Sequence, residues 1–97
     1  MFAALSSFDL RIPGCTSLKQ KRHVVKALTG GMRSKFNVAV AEVDHQDLWQ
    51  RTTLAVSAVA AQGYHLRKVM HEVERFLSSQ PAVELIDHRL TLHSQDD

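Results

Sequence analysis

Residues 2–12 alternate between hydrophobic and small or polar side chains, the pattern of a β-strand with one buried face. One side of this strand carries Phe2, Ala4, Phe8, Leu10 and Ile12. Pro13 and Gly14 follow directly, and this pair is typical of a loop that ends a strand. The chain is therefore expected to begin with a strand that packs one face on a core.

Between Ser17 and Phe36 the hydrophobic period changes to that of an amphipathic helix. Ser17 is the expected N-cap, because its hydroxyl can accept the backbone N–H of Gln20 while Gln20 reaches back to the amide of Ser17. One arc of the helix is apolar and consists of Leu18, Val24, Val25, Leu28 and Met32. Gly30 and Gly31 each cost about 1 kcal/mol relative to alanine in a helix interior, so the last turn is expected to fray or kink.

The remaining elements repeat this alternation of periods. Residues 36–43 and 52–61 are predicted strands, and the polar connection 44–51 joins them as a hairpin with a long loop. Residues 63–77 carry apolar side chains at helical spacing and predict a second helix. Residues 83–92 are the last predicted strand.

The order strand, helix, strand, strand, helix, strand predicts an α+β fold of the ferredoxin-like type, a split βαβ sandwich. Its four-stranded antiparallel sheet would carry both helices on one face. Residues 1–97 then form a single domain, with 93–97 as a polar tail. The opposite sheet face would expose only small and mildly apolar residues, and it could be solvated or stack on a second copy in a homo-oligomer.

Composition supports a small globular domain, with 44% hydrophobic and 23% charged residues among 97. The single cysteine, Cys15, excludes an intrachain disulfide, and no apolar run approaches the roughly 20 residues that span a bilayer. No signal-peptide pattern opens the chain. A reduced protein of the cytoplasm, without contact to membranes, is the expectation.

Charge is distributed unevenly along the chain. Seven of the 12 Lys and Arg residues lie between Asp9 and Glu42, where no acidic residue occurs. This asymmetry produces a local positive field even though the formal net charge is only +2. The residues predicted to meet a polyanion are Lys19, Lys21, Arg22, Lys26, Arg33 and Lys35.

Two interpretations of this basic helix remain open. Its cations can contact successive phosphates, and the free N–H groups at its start can form an anion pocket that Lys21 closes. Alternatively, it is a solvated face beside a loop held by the cap. The sheet lacks the aromatic residues on which single-stranded RNA stacks, so any RNA contact is expected to read shape and phosphate.

The loop 44–51 places a carboxylate next to an imidazole, as general acid–base catalysis requires. No nucleophile or oxyanion donor is identifiable nearby. We therefore favour two other interpretations of the loop. It is either a short helical turn capped by Asp44 or Asp47, with Leu48 and Trp49 packed on the core, or a docking surface for a partner. The polar neighbours of Trp49 favour its partial exposure. The residues predicted to bind a partner are His45, Gln46, Asp47, Trp49 and Arg51.

Six histidines raise the question of a metal site, but none is paired with another ligand at a recognised spacing. No metal and no cofactor are therefore expected. Cys15 lies before a helix start with lysines nearby, yet no matched His–Asn arrangement accompanies it, which favours an inert loop thiol.

Several segments together resemble the YlxP-like family of small bacterial proteins. The resemblance rests on Ile12-Pro13-Gly14, on residues 17–22, on Phe36-Asn37-Val38 and above all on residues 41–51. It implies a ferredoxin-like fold, the bacterial cytosol and a gene neighbourhood of translation initiation and ribosome maturation, without an established molecular function. The combined expectation is a non-enzymatic accessory protein that binds structured RNA or a ribosomal subunit; the alternative is a protein-interaction or homo-oligomerising module.

Overall fold

The computed structural model describes residues 1–95. Its elements are β1 (Phe2–Arg11), α1 (Leu18–Lys35), β2 (Ala39–Asp44), β3 (Arg51–Ala60), α2 (Gly63–Ser78) and β4 (Glu84–Ser94). All strand pairs are antiparallel, in the order β2-β3-β1-β4. The predicted ferredoxin-like α+β fold is thus confirmed. Within the described residues no helix is long and apolar enough to cross a membrane.

The core lies between one face of the sheet and the two helices. Its completely buried side chains include Phe8, Leu10, Leu54, Val56, Met32, Met70, Val73 and Leu77. They come from the inward positions of β1 and β3 and from the apolar arcs of α1 and α2, as the two hydrophobic periods predict. The opposite sheet face is open: small side chains surround exposed Leu5 and Val59, and the register of β1 and β4 places the charged Asp87 and Arg89 on the same face.

The helix α1 starts as predicted, with a modified cap. The Ser17 hydroxyl accepts the N–H of Gln20 at 3.1 Å. The Gln20 Oε1, however, accepts the backbone N–H of Thr16 at 2.8 Å and its hydroxyl at 2.9 Å, instead of reaching the Ser17 amide. Two side chains therefore satisfy the start of the helix, and the Gln20 carboxamide is held in one orientation.

The expected fraying of α1 at its two glycines is wrong, because the helix continues to Lys35. Packing explains Gly31: a Cβ added there would lie 2.9 Å from Cζ of Phe76 on α2. The missing side chain lets the two helices approach, and this contact offsets the weak helix propensity. A Cβ on Gly30 would meet nothing within 4 Å.

Two predicted boundaries are also corrected. β2 begins at Ala39 and not at Phe36, because the N–H of Phe36 still donates to the Met32 carbonyl at 2.9 Å and forms the C-cap of α1. The ring of Phe36 instead packs edge-to-face on Phe76, with centroids 6.1 Å apart. The predicted polar tail 93–97 is shorter, since β4 extends to Ser94; residues 96 and 97 lie outside the described residues.

Candidate nucleic-acid interface

Four of the five exposed cations of α1 form one stripe along the helix. Lys19, Arg22, Lys26 and Arg33 are all exposed, and we call them the basic stripe. At a rise of 1.5 Å per residue the stripe is about 21 Å long. Within residues 1–95, none of its members forms an ion pair with a carboxylate. The stripe is thus a row of positive charge whose counter-charge the described part of the chain does not supply.

The C-terminal end of this helix is partly engaged in packing. Arg33 Nη2 donates to the Val40 carbonyl at 2.7 Å, which ties α1 to β2. Lys35 Nζ lies 5.1 Å from the centroid of the Phe76 ring, within the range of a cation–π contact. Since a guanidinium has five N–H donors, Arg33 keeps donors for a phosphate. The freest charges are therefore those of Lys19, Arg22 and Lys26.

Lys21 does not belong to this surface, and the prediction that it closes an anion pocket is wrong. Its side chain is 1% exposed, and its Nζ lies 3.1 Å from Oε2 of Glu42. The same ammonium donates to the Gln46 carbonyl at 3.1 Å and to the His45 carbonyl. Glu42 Oε2 also accepts the hydroxyl of buried Thr52 at 2.6 Å. Lys21 thus clamps the loop 45–50 onto the body of the protein.

A signal for this clamp was present in the sequence. Lys21 precedes Val25 by four residues and Leu28 by seven, so it lies on the apolar arc of α1 rather than on the basic one. Glu42 follows Val40 by two residues on an inward strand face. The two periods together place a lysine and a glutamate inside, where they must pair.

The loop 45–50 is held at both ends. At its start the Asp44 carboxylate accepts the N–H of His45 at 2.8 Å, and His45 has a φ of 61°, in the left-handed region. At its end the Gln50 side chain donates to the Cys15 carbonyl at 3.1 Å, and the Gln50 carbonyl accepts the N–H of Ile12 at 2.9 Å. The loop is therefore held in one conformation, but by these contacts and not by the packing of Leu48 and Trp49 on the core.

The tip of the loop faces solvent. Leu48 and Trp49 are each 50% exposed, so neither packs into the core; partial exposure of Trp49 agrees with its prediction, and the packed alternative is wrong. Among the other predicted partner-binding residues, Gln46 and Asp47 are exposed and His45 is half-buried. Arg51 differs from these residues in that its charge is already used within the protein: its Nη2 donates to Oδ2 of Asp9 at 2.7 Å.

The acid–base interpretation of Asp44 and His45 lacks the necessary contact. The His45 Nδ1 lies 4.0 Å from the Asp44 carboxylate, beyond hydrogen-bond distance, while that carboxylate is used by the backbone. No group of three metal-ligating side chains occurs within residues 1–95. Cys15 is buried, and its thiol donates to the Ser17 carbonyl at 3.2 Å.

A partly buried chain of hydrogen bonds links the sheet to α2 and was not recognised in the sequence. Nε2 of His88 lies 3.0 Å from the Ser6 hydroxyl, and its Nδ1 lies 2.5 Å from Oε2 of Glu74. The imidazole also stacks on Phe8, with ring centroids 4.1 Å apart. Although the order Ser–His–Glu is that of a hydrolase triad, Ser6 is 0% exposed, so a substrate carbonyl has no access to its hydroxyl. The chain instead joins three elements of the fold.

A groove of about 700 Å³ lies beside the start of the basic stripe. Its apolar lining comes from Ile12, Pro13, Cys15, Val24, Pro81 and Ala82. Gly14 and three polar side chains, Lys19, Gln20 and His23, complete the lining. Lys19 therefore belongs both to the basic stripe and to the groove, which makes the two features one continuous surface.

The fold and this surface define a small ferredoxin-like domain with one basic helix. The chain belongs to the DUF503 family, described as proteins of unknown function, whose profile matches residues 4–90. It is 38% identical over 68 residues to the uncharacterized protein YlxP of Bacillus subtilis (strain 168), covering 70% of this chain and 74% of that protein. The resemblance found in the sequence is thereby confirmed.

Proposed function

We propose that the protein is an RNA- or ribosome-associated accessory protein that binds the phosphate backbone of structured RNA through the basic stripe. The observation that carries the proposal is the exposed row Lys19, Arg22 and Lys26, which has no carboxylate partner within residues 1–95. Cations that are not paired internally release the counterions of a polyanion when they bind it. The proposal assigns binding and no catalytic step.

The position of acidic residues supports the same surface. The Glu42 carboxylate contacts α1, but it is already paired with the buried Lys21. By contrast, α2 carries Glu72 and Glu74 among its basic residues, which reduces its local field. An approaching polyanion is therefore steered to α1 and not to α2.

The mode of recognition follows from the open sheet face. Within residues 1–95, the outward positions of its four strands hold no Phe, Tyr or Trp; they carry small residues, Leu5 and Val59, and the charged pair Asp87 and Arg89. Base stacking on the sheet is thus disfavoured, and contacts along α1 would read backbone shape. We also propose that the protein is located in the cytoplasm, and this part of the proposal rests on the family resemblance.

Charge reversal on matched helices tests the proposal. The double variant Arg22→Glu/Lys26→Glu should bind a structured RNA hairpin at least tenfold more weakly in fluorescence anisotropy. The control Arg67→Glu/Lys68→Glu changes the net charge equally on exposed positions of α2 and should stay within about threefold of the wild type. Wild-type affinity should fall with salt, with a log–log slope of about 0.7–0.9 per neutralised phosphate.

An equal loss of RNA affinity in both double variants would show that net charge alone causes the effect. Binding that does not depend on salt would contradict phosphate contacts. Co-sedimentation with purified ribosomal subunits, using the same two variants, separates ribosomal RNA from free RNA as the target.

A second function is a protein-interaction module built on the loop 45–50. The observation that favours it is the half-exposed pair Leu48 and Trp49 on a loop held rigid by Lys21. A rigid loop loses little entropy on binding, and tryptophan is a common interface anchor. The small-residue sheet face is the corresponding surface for a homo-oligomer.

A further inference from the structure

We propose that the groove beside Lys19 holds the base of one unpaired nucleotide while Lys19 contacts a neighbouring phosphate. This inference rests on the proposed RNA function and names the class of RNA: one with a bulge, loop or free end. A base inside a continuous A-form duplex stays stacked and paired, so only an unpaired nucleotide can deliver its base to a groove.

The dimensions and lining of the groove fit a planar, apolar-faced ring. Its volume of about 700 Å³ is within the range of about 300–1,000 Å³ that is typical of small-molecule sites. Buried Ile12 and half-buried Val24 supply apolar walls, and Pro81 lines the groove from the α2–β4 connection. The imidazole of His23 is exposed and lines the groove, where it can stack on a base.

Gln20 supplies a fixed hydrogen-bond donor. Its Oε1 accepts two hydrogen bonds from Thr16, so the carbonyl end of the carboxamide is occupied. The amide Nε2 makes no hydrogen bond within residues 1–95, although Gln20 lines the groove. An amide NH₂ group is complementary to the carbonyl and ring-nitrogen acceptors on a base edge.

Charge complementarity and continuity select a nucleotide over an uncharged apolar ligand. Lys19 lines the groove, and Arg22 follows it one turn later on the basic stripe. An RNA strand whose phosphates follow the stripe therefore passes the mouth of the groove. The groove thus combines apolar walls with a cation that belongs to the basic stripe.

Three labelled hairpins with the same stem test the inference by fluorescence anisotropy. One is fully paired, one has a single-nucleotide bulge, and one has an abasic residue in that bulge. The wild type should bind the bulged hairpin about tenfold more tightly than either of the others, as one stacked base provides. The abasic hairpin separates the base from the altered backbone shape.

Variants that fill the groove supply the second arm. Gly14 lines the groove, and a Cβ added there meets nothing within 4 Å, so Gly14→Leu places bulk in open space. Gly14→Leu and Ala82→Leu should abolish the preference for the bulge and leave affinity for the paired hairpin unchanged. Ala61→Leu, a matched exposed position at the opposite end of the sheet, should retain the preference.

The outcomes separate the inference from the proposed function. Equal binding of the three hairpins, while Arg22→Glu/Lys26→Glu still weakens all of them, would overturn the groove inference and keep the RNA function. If no hairpin binds, the RNA function fails, and nucleoside 5′-monophosphates then probe the groove by NMR. Amide shifts confined to residues 12–24 and 81–82 would retain a nucleotide site, and their absence would overturn it.

Discussion

Lys21 illustrates how one residue can belong to a charged segment and still serve the core. Its ammonium is desolvated, which costs several kcal/mol unless partners compensate. Glu42 and two loop carbonyls provide that compensation, so the charge holds β2 and the loop 45–50 against α1. A sequence count of basic residues therefore overestimates by one the cations offered by this helix.

Replacing this lysine should destabilise the fold. Lys21→Met removes the partner of Glu42 and the donor to two carbonyls, and we expect the free energy of unfolding to fall by roughly 3 kcal/mol. Removing one partner of a buried ion pair usually costs about 3–5 kcal/mol. The lower end of this range applies here, because the Glu42 side chain is 22% exposed and water can partly hydrate its carboxylate. Urea denaturation measures the change.

Lys19→Met is the matched control, two residues earlier on the exposed side of the same helix. It should change stability by no more than about 0.5 kcal/mol, as surface substitutions do. A similar stability for the two variants would show that the clamp contributes nothing to folding.

At the scale of the element, the local sequence of α1 weakens its last turns, whereas tertiary packing stabilises them. Two adjacent glycines weaken it, but only Gly31 faces another element, the ring of Phe76. The edge-to-face contact between Phe36 and Phe76 and the cation–π contact of Lys35 surround the same ring. The close approach of α2 thus holds the last turns of α1 in place.

The two glycines should therefore respond in opposite directions to alanine. Gly30→Ala should raise the free energy of unfolding by about 0.5–1 kcal/mol, because it gains helix propensity in open space. Gly31→Ala gains the same propensity but forces the Phe76 ring to shift, and overpacking of this kind costs about 1–3 kcal/mol. Thermal unfolding of both variants should rank Gly30→Ala above wild type and Gly31→Ala below it. Stabilisation by both alanines would contradict the close contact.

At the scale of the whole molecule, the antiparallel order gathers several features at one end of the sheet. The loops 12–17, 45–50 and 79–83 all connect elements at this end, together with the start of α1. The groove, the start of the basic stripe at Lys19 and the exposed Trp49 therefore lie near this end of the molecule although they are distant in sequence. Any partner that covers this end meets all three.

Trp49 reports on that end because it is the only tryptophan in the chain. In the free monomer we expect red-shifted emission that iodide quenches readily, since half of the side chain is exposed. Trp49→Ala should cost about 1 kcal/mol or less in stability, in contrast to the 3–5 kcal/mol of a buried tryptophan. Loss of protein-partner binding in this variant would support the docking function of the loop. Blue-shifted emission that iodide does not quench in the monomer, together with a large loss of stability in Trp49→Ala, would contradict the docking function and show that the loop has a structural role only.

The sequence by itself determined the element order, the inward positions of the strands, the cap at Ser17 and hence the ferredoxin-like fold. These follow from local rules: a period of two or 3.6 and a short-range cap depend on neighbours in the chain. The same rules indicated the acid-free basic segment and the exposure of Trp49. They were less reliable at Gly31 and at the start of β2, where contacts with α2 decide.

Only the tertiary structure decided which partners the buried Lys21 meets and where open space remains. Lys21 became a clamp because Glu42 and the loop carbonyls reach it across the fold, over a sequence separation of about two dozen residues. The groove lies where the loop 12–17, the start of α1 and the α2–β4 connection meet. Burial, ion pairing and cavities depend on contacts between distant segments, and no local pattern of residue types contains those distances.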